Sequence, residues 1–193
     1  VAFVMPESVM KLCLLGCGKM GHAMLNGWLG LEDIQAEISV IDPAHDTAQA
    51  LFSTPSVGLR YYHSVAELPA GYCADIAILA VKPQIMDNVL PQVAAIGDSA
   101  TGWISIAAGI STTGLGQHLG VDARLMRAMP NTPAAIGRGV TALYCTETVS
   151  AAQKERAEAL LRACGDVVHI NDELMMDAVT AVSGAGPAYV SVR

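Results

Sequence analysis

The chain has 193 residues, of which 52% are hydrophobic, 15% charged and 5% aromatic, with a formal net charge of −7. At roughly 150 residues per domain this is one large domain, or one domain and a remainder, and a chain of that size buries about 70% of its unfolded surface without disulfide or metal staples. The composition excludes intrinsic disorder, collagen and a disulfide scaffold, and the 11 Lys and Arg are scattered rather than gathered into a phosphate-binding stripe, so no nucleic-acid partner is expected.

Residues 1–9 lack the positive and long apolar regions of a signal peptide. Val1 is no initiator and Met10 directly precedes a strand pattern, so the expected start is Met10, or Val1 is a fragment edge, and 1–9 are expected to have no role in the fold. A strand is predicted over 11–15, then a glycine turn and a helix over 22–29. The next strand, 38–41, ends at Asp42-Pro43, because proline has no N–H for the ladder. A short helix over 47–52, a short strand over 60–62 and a helical turn over 65–68 follow. The run from Ile76 to Val81 is apolar throughout, the pattern of a strand covered on both faces. A helix over 84–95 places Ile85, Val89 and Val93 on one stripe. Beyond it come a strand over 103–106, broken by Ala107-Ala108-Gly109, a helix over 111–119, and strands over 124–128 and 139–144. Ser150 caps the next helix with Gln153 as its capping-box partner. That helix runs through Ala163 and stops at Gly165, read as its C′ glycine. A strand over 166–170 and a helix over 172–182 lead to Ser183-Gly184-Ala185-Gly186-Pro187.

Strands alternating with helices along most of the chain predict an α/β fold, a Rossmann-type doubly wound sheet. Right-handed crossovers then gather the loops that follow the strands on one edge, where such sheets bind ligands. No apolar stretch reaches the roughly 18 residues of a membrane span, so no membrane partner is expected. The five cysteines include no C-x-x-C pair and read as reduced thiols in a cytoplasmic protein. The five histidines have no metal-ligand spacing, and no metal is expected.

Gly16-Cys17-Gly18-Lys19-Met20-Gly21 matches G-x-G-x-x-G, directly after a strand and opening a helix. In such a turn Gly16 permits the tight bend, Gly18 lets the backbone approach a pyrophosphate, and Gly21 allows close helix–strand packing. The helix N-terminus adds free N–H groups and a partial positive charge. A glycine-rich turn without ligand is the alternative. Asp42, at the end of the second strand, is placed to accept from an adenosine ribose diol, which favours NAD(H) over NADP(H); its alternative is a turn residue before Pro43.

Four further segments follow in order: Ala80-Val81-Lys82-Pro83-Gln84, Ala107-Ala108-Gly109-Ile110, Met129-Pro130-Asn131-Thr132-Pro133-Ala134, and Ala178 to Tyr189 with its Ser183-Gly184-Ala185-Gly186-Pro187 core. Together with the glycine turn, over about residues 10 to 190, they resemble pyrroline-5-carboxylate reductase. That resemblance implies a dinucleotide-binding domain over 10–171, then, over 172–193, a linker helix and the truncated start of an all-helical domain that makes an intertwined homo-oligomer. It also implies hydride transfer from NAD(P)H to the C=N carbon of 1-pyrroline-5-carboxylate, giving L-proline in the last step of proline biosynthesis. On this resemblance Ala80, Val81, Lys82 and Pro83 line the cofactor largely through their backbone, although Lys82 reads equally as a solvated strand-end lysine. Ala107 and Gly109 are small so that the nicotinamide can approach. Asn131 lies in a rigid loop near nicotinamide and substrate, or is an Asx-turn residue. Ser183 and Gly184 belong to the substrate pocket at the junction, or to a bare helix stop.

The substrate contacts of such enzymes come largely from the helical domain, so no catalytic residue is assigned here and this chain alone is expected to be inactive. A truncated or diverged NAD(P)H-binding module without turnover is the second reading. A different oxidoreductase with a similar cofactor domain, of the F420-dependent NADP reductase type, is a third, against which Met129-Pro130-Asn131-Thr132-Pro133 argues.

Overall fold

The computed structural model describes residues 9–31, 36–44 and 58–181. The helix expected over 47–52 lies outside them, as do residues 1–8, Ser183 and Gly184. Eight strands, β1 (Met10–Leu15), β2 (Ala36–Ile41), β3 (Leu59–Tyr62), β4 (Ile76–Leu79), β5 (Gly102–Ser105), β6 (Arg124–Pro130), β7 (Gly139–Cys145) and β8 (Gly165–Ile170), form one sheet. Their order is β3-β2-β1-β4-β5-β6-β7-β8. All neighbours are parallel except β6 and β7, so β7 and β8 run against the first six. The expected doubly wound α/β sheet is what forms.

The sheet has two covered faces because the strands are apolar at odd and even positions alike. On one face Leu12, Leu14, Ile38, Val40, Ile76 and Ile78 pack with Met24 and Trp28 of α1 (Lys19–Leu29). Leu160 and Leu161 of a later helix, Ala151–Arg162, close that layer. On the other face Cys13, Leu15, Ala77, Leu79 and Trp103 meet α2 (Met86–Val93) and Leu115 of α3 (Thr112–Leu119). The helix Ala151–Arg162 is α4, and α5 is Met175–Val179. Each fully buried leucine contributes about 1.5–3 kcal/mol to this core. One hydrogen bond ties the two helices of the first layer: Trp28 Nε1–H donates to the Leu160 carbonyl at 2.9 Å.

Several predicted boundaries move for identifiable reasons. Helix α1 begins at Lys19 rather than 22, because the His22 N–H already bonds the Gly18 carbonyl at 2.8 Å, making Gly18 the cap. Strand β4 stops at Leu79, two residues before its apolar run ends. Of the stripe assigned to α2, Val93 is buried and Val89 packs against the core, with Met86 and Leu90 buried beside them, whereas Ile85 is 44% exposed. A 3₁₀ turn at Pro83–Ile85 precedes the α-helix and rotates its start. The capping box at Ser150 and Gln153 forms as expected.

Gly165 is a correction. The α4 helix ends with Ala163 as its cap in right-handed conformation, and Gly165 opens β8. There its φ is +134°, and a Cβ would collide with the Gly139 carbonyl oxygen on β7. The glycine is needed for close strand approach rather than for ending a helix. Gly165→Ala is therefore expected to cost about 3 kcal/mol or more, as clash and backbone strain combine. Urea unfolding measures this, and an unchanged midpoint would show that β8 has room for a methyl group.

Candidate functional site

The sheet reverses its winding between β1 and β4, which lie side by side with β1 leading to the glycine turn. Loops leaving such a pair diverge to opposite faces and open a crevice. Here the crevice floor is set by contact. Gly16 has φ +87°, and a Cβ on it would stand 2.7 Å from the Ala80 carbonyl oxygen and 3.1 Å from Val81 Cγ1. A Cβ on Gly21 would collide with the Gly16 carbonyl oxygen. A Cβ on Gly18, by contrast, would meet nothing within 4 Å. Two glycines are packed shut and the middle one faces open space, the division of labour that the motif requires of a diphosphate cradle.

The first turn of α1 carries no acidic residue, and its Gly18 cap offers no side-chain acceptor. Its first amides therefore receive no side-chain cap, the arrangement that suits an anion. Lys19 is exposed there, while Met20 packs against the core.

Asp42 joins this turn in a way the sequence did not reveal. Its Oδ2 accepts from the Cys17 N–H at 2.6 Å, and its Oδ1 accepts from the Ala44 N–H at 2.8 Å. The Gly16 N–H meets the Ile41 carbonyl at 2.8 Å. The carboxylate thus acts as a turn residue and as a clamp on the glycine loop, and each oxygen keeps a second lone pair for a further donor. Burial, and secondarily the Asp42 charge, push the Cys17 thiol up to about 11. Burial drives the Cys13 thiol up to about 12. Both are protonated at neutral pH, and all five cysteines are free.

The remaining expected residues divide. Ala80 donates its N–H to the Leu15 carbonyl at 2.7 Å and lies against the glycine turn, with Val81 beside it. Lys82 is exposed, as its reading as a solvated strand-end lysine requires, and caps the 3₁₀ turn that Pro83 opens. Gly109 is exposed with φ +74° and open space around it. The Ala107 methyl is buried in the second core layer, so only its backbone faces the edge. Asn131 sits at the end of β6 and its Oδ1 accepts from the Val140 N–H at 2.9 Å, pinning the β6–β7 connection. This is a longer-range clamp than an Asx turn. The 3₁₀ segment after it, Thr132–Ile136, packs against α1.

A polar cluster escaped the sequence reading. Glu173 Oε1 accepts from the Thr112 N–H at 2.7 Å and from Arg127 Nη1 at 3.0 Å, and Oε2 accepts from Thr112 Oγ1 at 2.6 Å. The signal was a lone Arg between Met126 and Ala128 in an apolar strand, a charge that demands a buried partner. Burial raises the Glu173 pKa, but the Thr112 hydroxyl and amide and the Arg127 guanidinium outweigh it and hold the carboxyl below its ordinary range. Among the described residues, no group of three His, Cys, Asp or Glu is placed to hold a metal ion, and no helix is long and apolar enough to cross a membrane.

Comparison with known proteins places this geometry. The family model described as "NADP oxidoreductase coenzyme F420-dependent" matches residues 11–109, from β1 to Gly109. The chain is 37% identical over 182 residues to the pyrroline-5-carboxylate reductase of Pseudomonas aeruginosa, covering 94% of this chain and 65% of that protein. A solved pyrroline-5-carboxylate reductase from Coxiella burnetii superposes with a TM-score of 0.82 at 29% identity, covering 95% of this chain and 67% of that one. The pyrroline carboxylate reductase of Plasmodium falciparum, crystallised with NADP bound, gives a TM-score of 0.76 at 31% identity over 94% of this chain and 64% of that one. The chain thus spans about 65% of the length of the curated relatives it matches.

Two outcomes follow from the site. Gly21→Ala should lower stability by about 2–3 kcal/mol through its clash, whereas Gly18→Ala should leave the melting temperature unchanged and weaken dinucleotide binding about tenfold or more. Calorimetry and thermal unfolding read both, and a Gly18→Ala protein with full affinity would mean that the cradle is not occupied. Folding lowers the Glu173 pKa, so its charge adds stability above the ordinary glutamate value, and that share is lost as pH falls through the folded value. The Tm gap between wild type and Glu173→Gln should be widest at neutral pH and close on acidification; a gap independent of pH would assign the loss to shape rather than charge.

Proposed function

Because the chain belongs to the oxidoreductase family described as NADP oxidoreductase, coenzyme F420-dependent, and the relatives it matches along nearly its whole length are pyrroline-5-carboxylate reductases, we propose that residues 10–171 are the dinucleotide-binding domain of a pyrroline-5-carboxylate reductase. Residues 172–193 are then the linker helix and the start of the helical domain through which the whole protein forms homo-oligomers, and its five free thiols suit a reducing cytoplasm. The reaction is hydride transfer from NAD(P)H to the C=N carbon of 1-pyrroline-5-carboxylate, with a proton taken up at nitrogen, giving L-proline in the last step of proline biosynthesis.

The observation that carries this reading is the glycine turn: shut at Gly16 and Gly21, open at Gly18, with uncapped α1 amides above it. When bound, the dihydronicotinamide supplies the hydride, and the protein's task is to orient it and exclude water. The Cys17 to Gly21 turn holds the diphosphate. Asp42 uses its remaining lone pairs on the ribose, and its charge favours NADH by repelling a 2′-phosphate. The backbone of Ala80 to Pro83 and Lys82 line the next stretch, with Ala107 and Gly109 leaving space at the nicotinamide. Asn131, Ser183 and Gly184 belong to the substrate pocket. The group that protonates nitrogen and the cradle for the substrate carboxylate are supplied by the helical domain.

Calorimetric titration of the purified chain with NADH and NADPH, and an NADH-oxidation assay with pyrroline-5-carboxylate, test the proposal. Binding without turnover is expected. Absence of binding to either nucleotide would overturn the cofactor reading, and robust turnover would overturn the assignment of the substrate contacts to helices beyond this chain. Asp42→Ala should weaken both cofactors, since it frees the Cys17 amide, but weaken NADH more. An unchanged NADH-to-NADPH affinity ratio would remove Asp42 from the ribose.

A further inference from the structure

The loop between β5 and α3, residues 106–111, carries Ala107 and Gly109, and it is held at both ends. At its start, the Ala107 N–H donates to Ser105 Oγ at 3.3 Å. At its finish, Thr112 gives both its N–H and its hydroxyl to Glu173, 61 residues away in sequence. Arg127 closes the arrangement from below. It is only 4% exposed, stands directly across the β5–β6 ladder from Ser105, and donates Nη1 to the same Glu173 oxygen that the Thr112 amide uses. Its Nη2 is buried with no hydrogen-bond partner among the described residues.

Apolar residues of similar volume often match or exceed a buried ion pair in stability, and an unmatched buried donor adds a further cost. The Glu173 charge adds stability, but an apolar pair could do the same, so stability alone does not account for an ion pair at this place. What it does supply is geometry: a carboxylate with three donors fixes the first turn of α3, strand β6 and the segment leading into α5 relative to one another. Two of these flank the expected nicotinamide end, α3 directly after the loop that carries Gly109 and β6 directly before Asn131.

We propose that Glu173 is a positioning residue for the nicotinamide end of the cofactor site, acting through Thr112 on the 106–111 loop and held in place by Arg127. The proposal rests on the reading of the chain as a dinucleotide-binding domain. It separates the two halves of the ligand, because the glycine turn that takes the diphosphate follows β1 and its hydrogen bonds run to the end of β2 instead of to this cluster.

The test uses the full 193-residue chain and compares affinity for NADH with affinity for ADP, which carries the adenosine diphosphate half alone. Glu173→Gln is expected to raise the Kd for NADH about tenfold, the loss of a charge-assisted hydrogen bond, while the Kd for ADP stays the same. Glu173→Asp, which keeps the charge, should recover part of the loss. Equal weakening of both ligands would make the cluster purely structural, and no change in either would sever it from the site; both results overturn the proposal. Should Glu173→Gln fail to fold, Thr112→Val removes one donor, leaves the ion pair, and is expected to show the same selective loss to a smaller degree. Wild-type protein that binds neither NADH nor ADP would instead overturn the cofactor reading, and this proposal with it.

Discussion

Strand β1 leaves the sheet and α1 enters its first turn at backbone-contact distance from the end of β4. Gly16 touches Ala80 and Gly21 touches Gly16 so closely that neither position has room for a single carbon. The rest of the site depends on this closeness. It brings the α1 N-terminus down onto the carboxyl edge of the sheet beside the switch point between β1 and β4. It also lets the His22 amide close the helix on Gly18 immediately, with no intervening capping side chain.

A second theme is that the acidic groups around the crevice are turned inward onto backbone amides. Asp42 holds the amides of Cys17 and Ala44, and Glu173 holds that of Thr112. A net charge of −7 is therefore no bar to a phosphorylated ligand of the kind proposed, because oriented peptide dipoles at a helix N-terminus attract an anion without side-chain charge. The same carboxylates set the shape of the loops they hold. Loop geometry at this edge is thereby tied to distant chain segments: the glycine turn to the end of β2, and the loop after β5 to the approach to α5.

The alternation of strands and helices was legible because parallel strands buried on both faces leave unbroken apolar runs, as at Ile76 to Leu79. The glycine turn was legible because its spacing follows from sterics that are local to one strand–turn–helix unit. The capping box at Ser150 is equally local. What failed was whatever depended on a distant neighbour. Val89 and Val93 fall on the inner side of α2 as expected, but Ile85 belongs to the 3₁₀ turn ahead of the helix and lies outside while Met86 lies inside. Gly165 looked like a helix terminator, yet its requirement comes from Gly139 on the adjacent strand. The alternative of a local turn role for Asn131 missed that its carboxamide reaches Val140.

By itself, then, the sequence determined the fold class, the location of the glycine turn and the family resemblance, because each is written in short-range spacing and side-chain size. Only the tertiary structure decided what the charged residues do. Whether Asp42 holds a loop, and whether Arg127 has a partner, depends on which segments the crossovers bring together, and Glu173 meets Thr112 across 61 residues of intervening chain. A carboxylate is the same residue in either role; the donors that surround it in three dimensions choose between them.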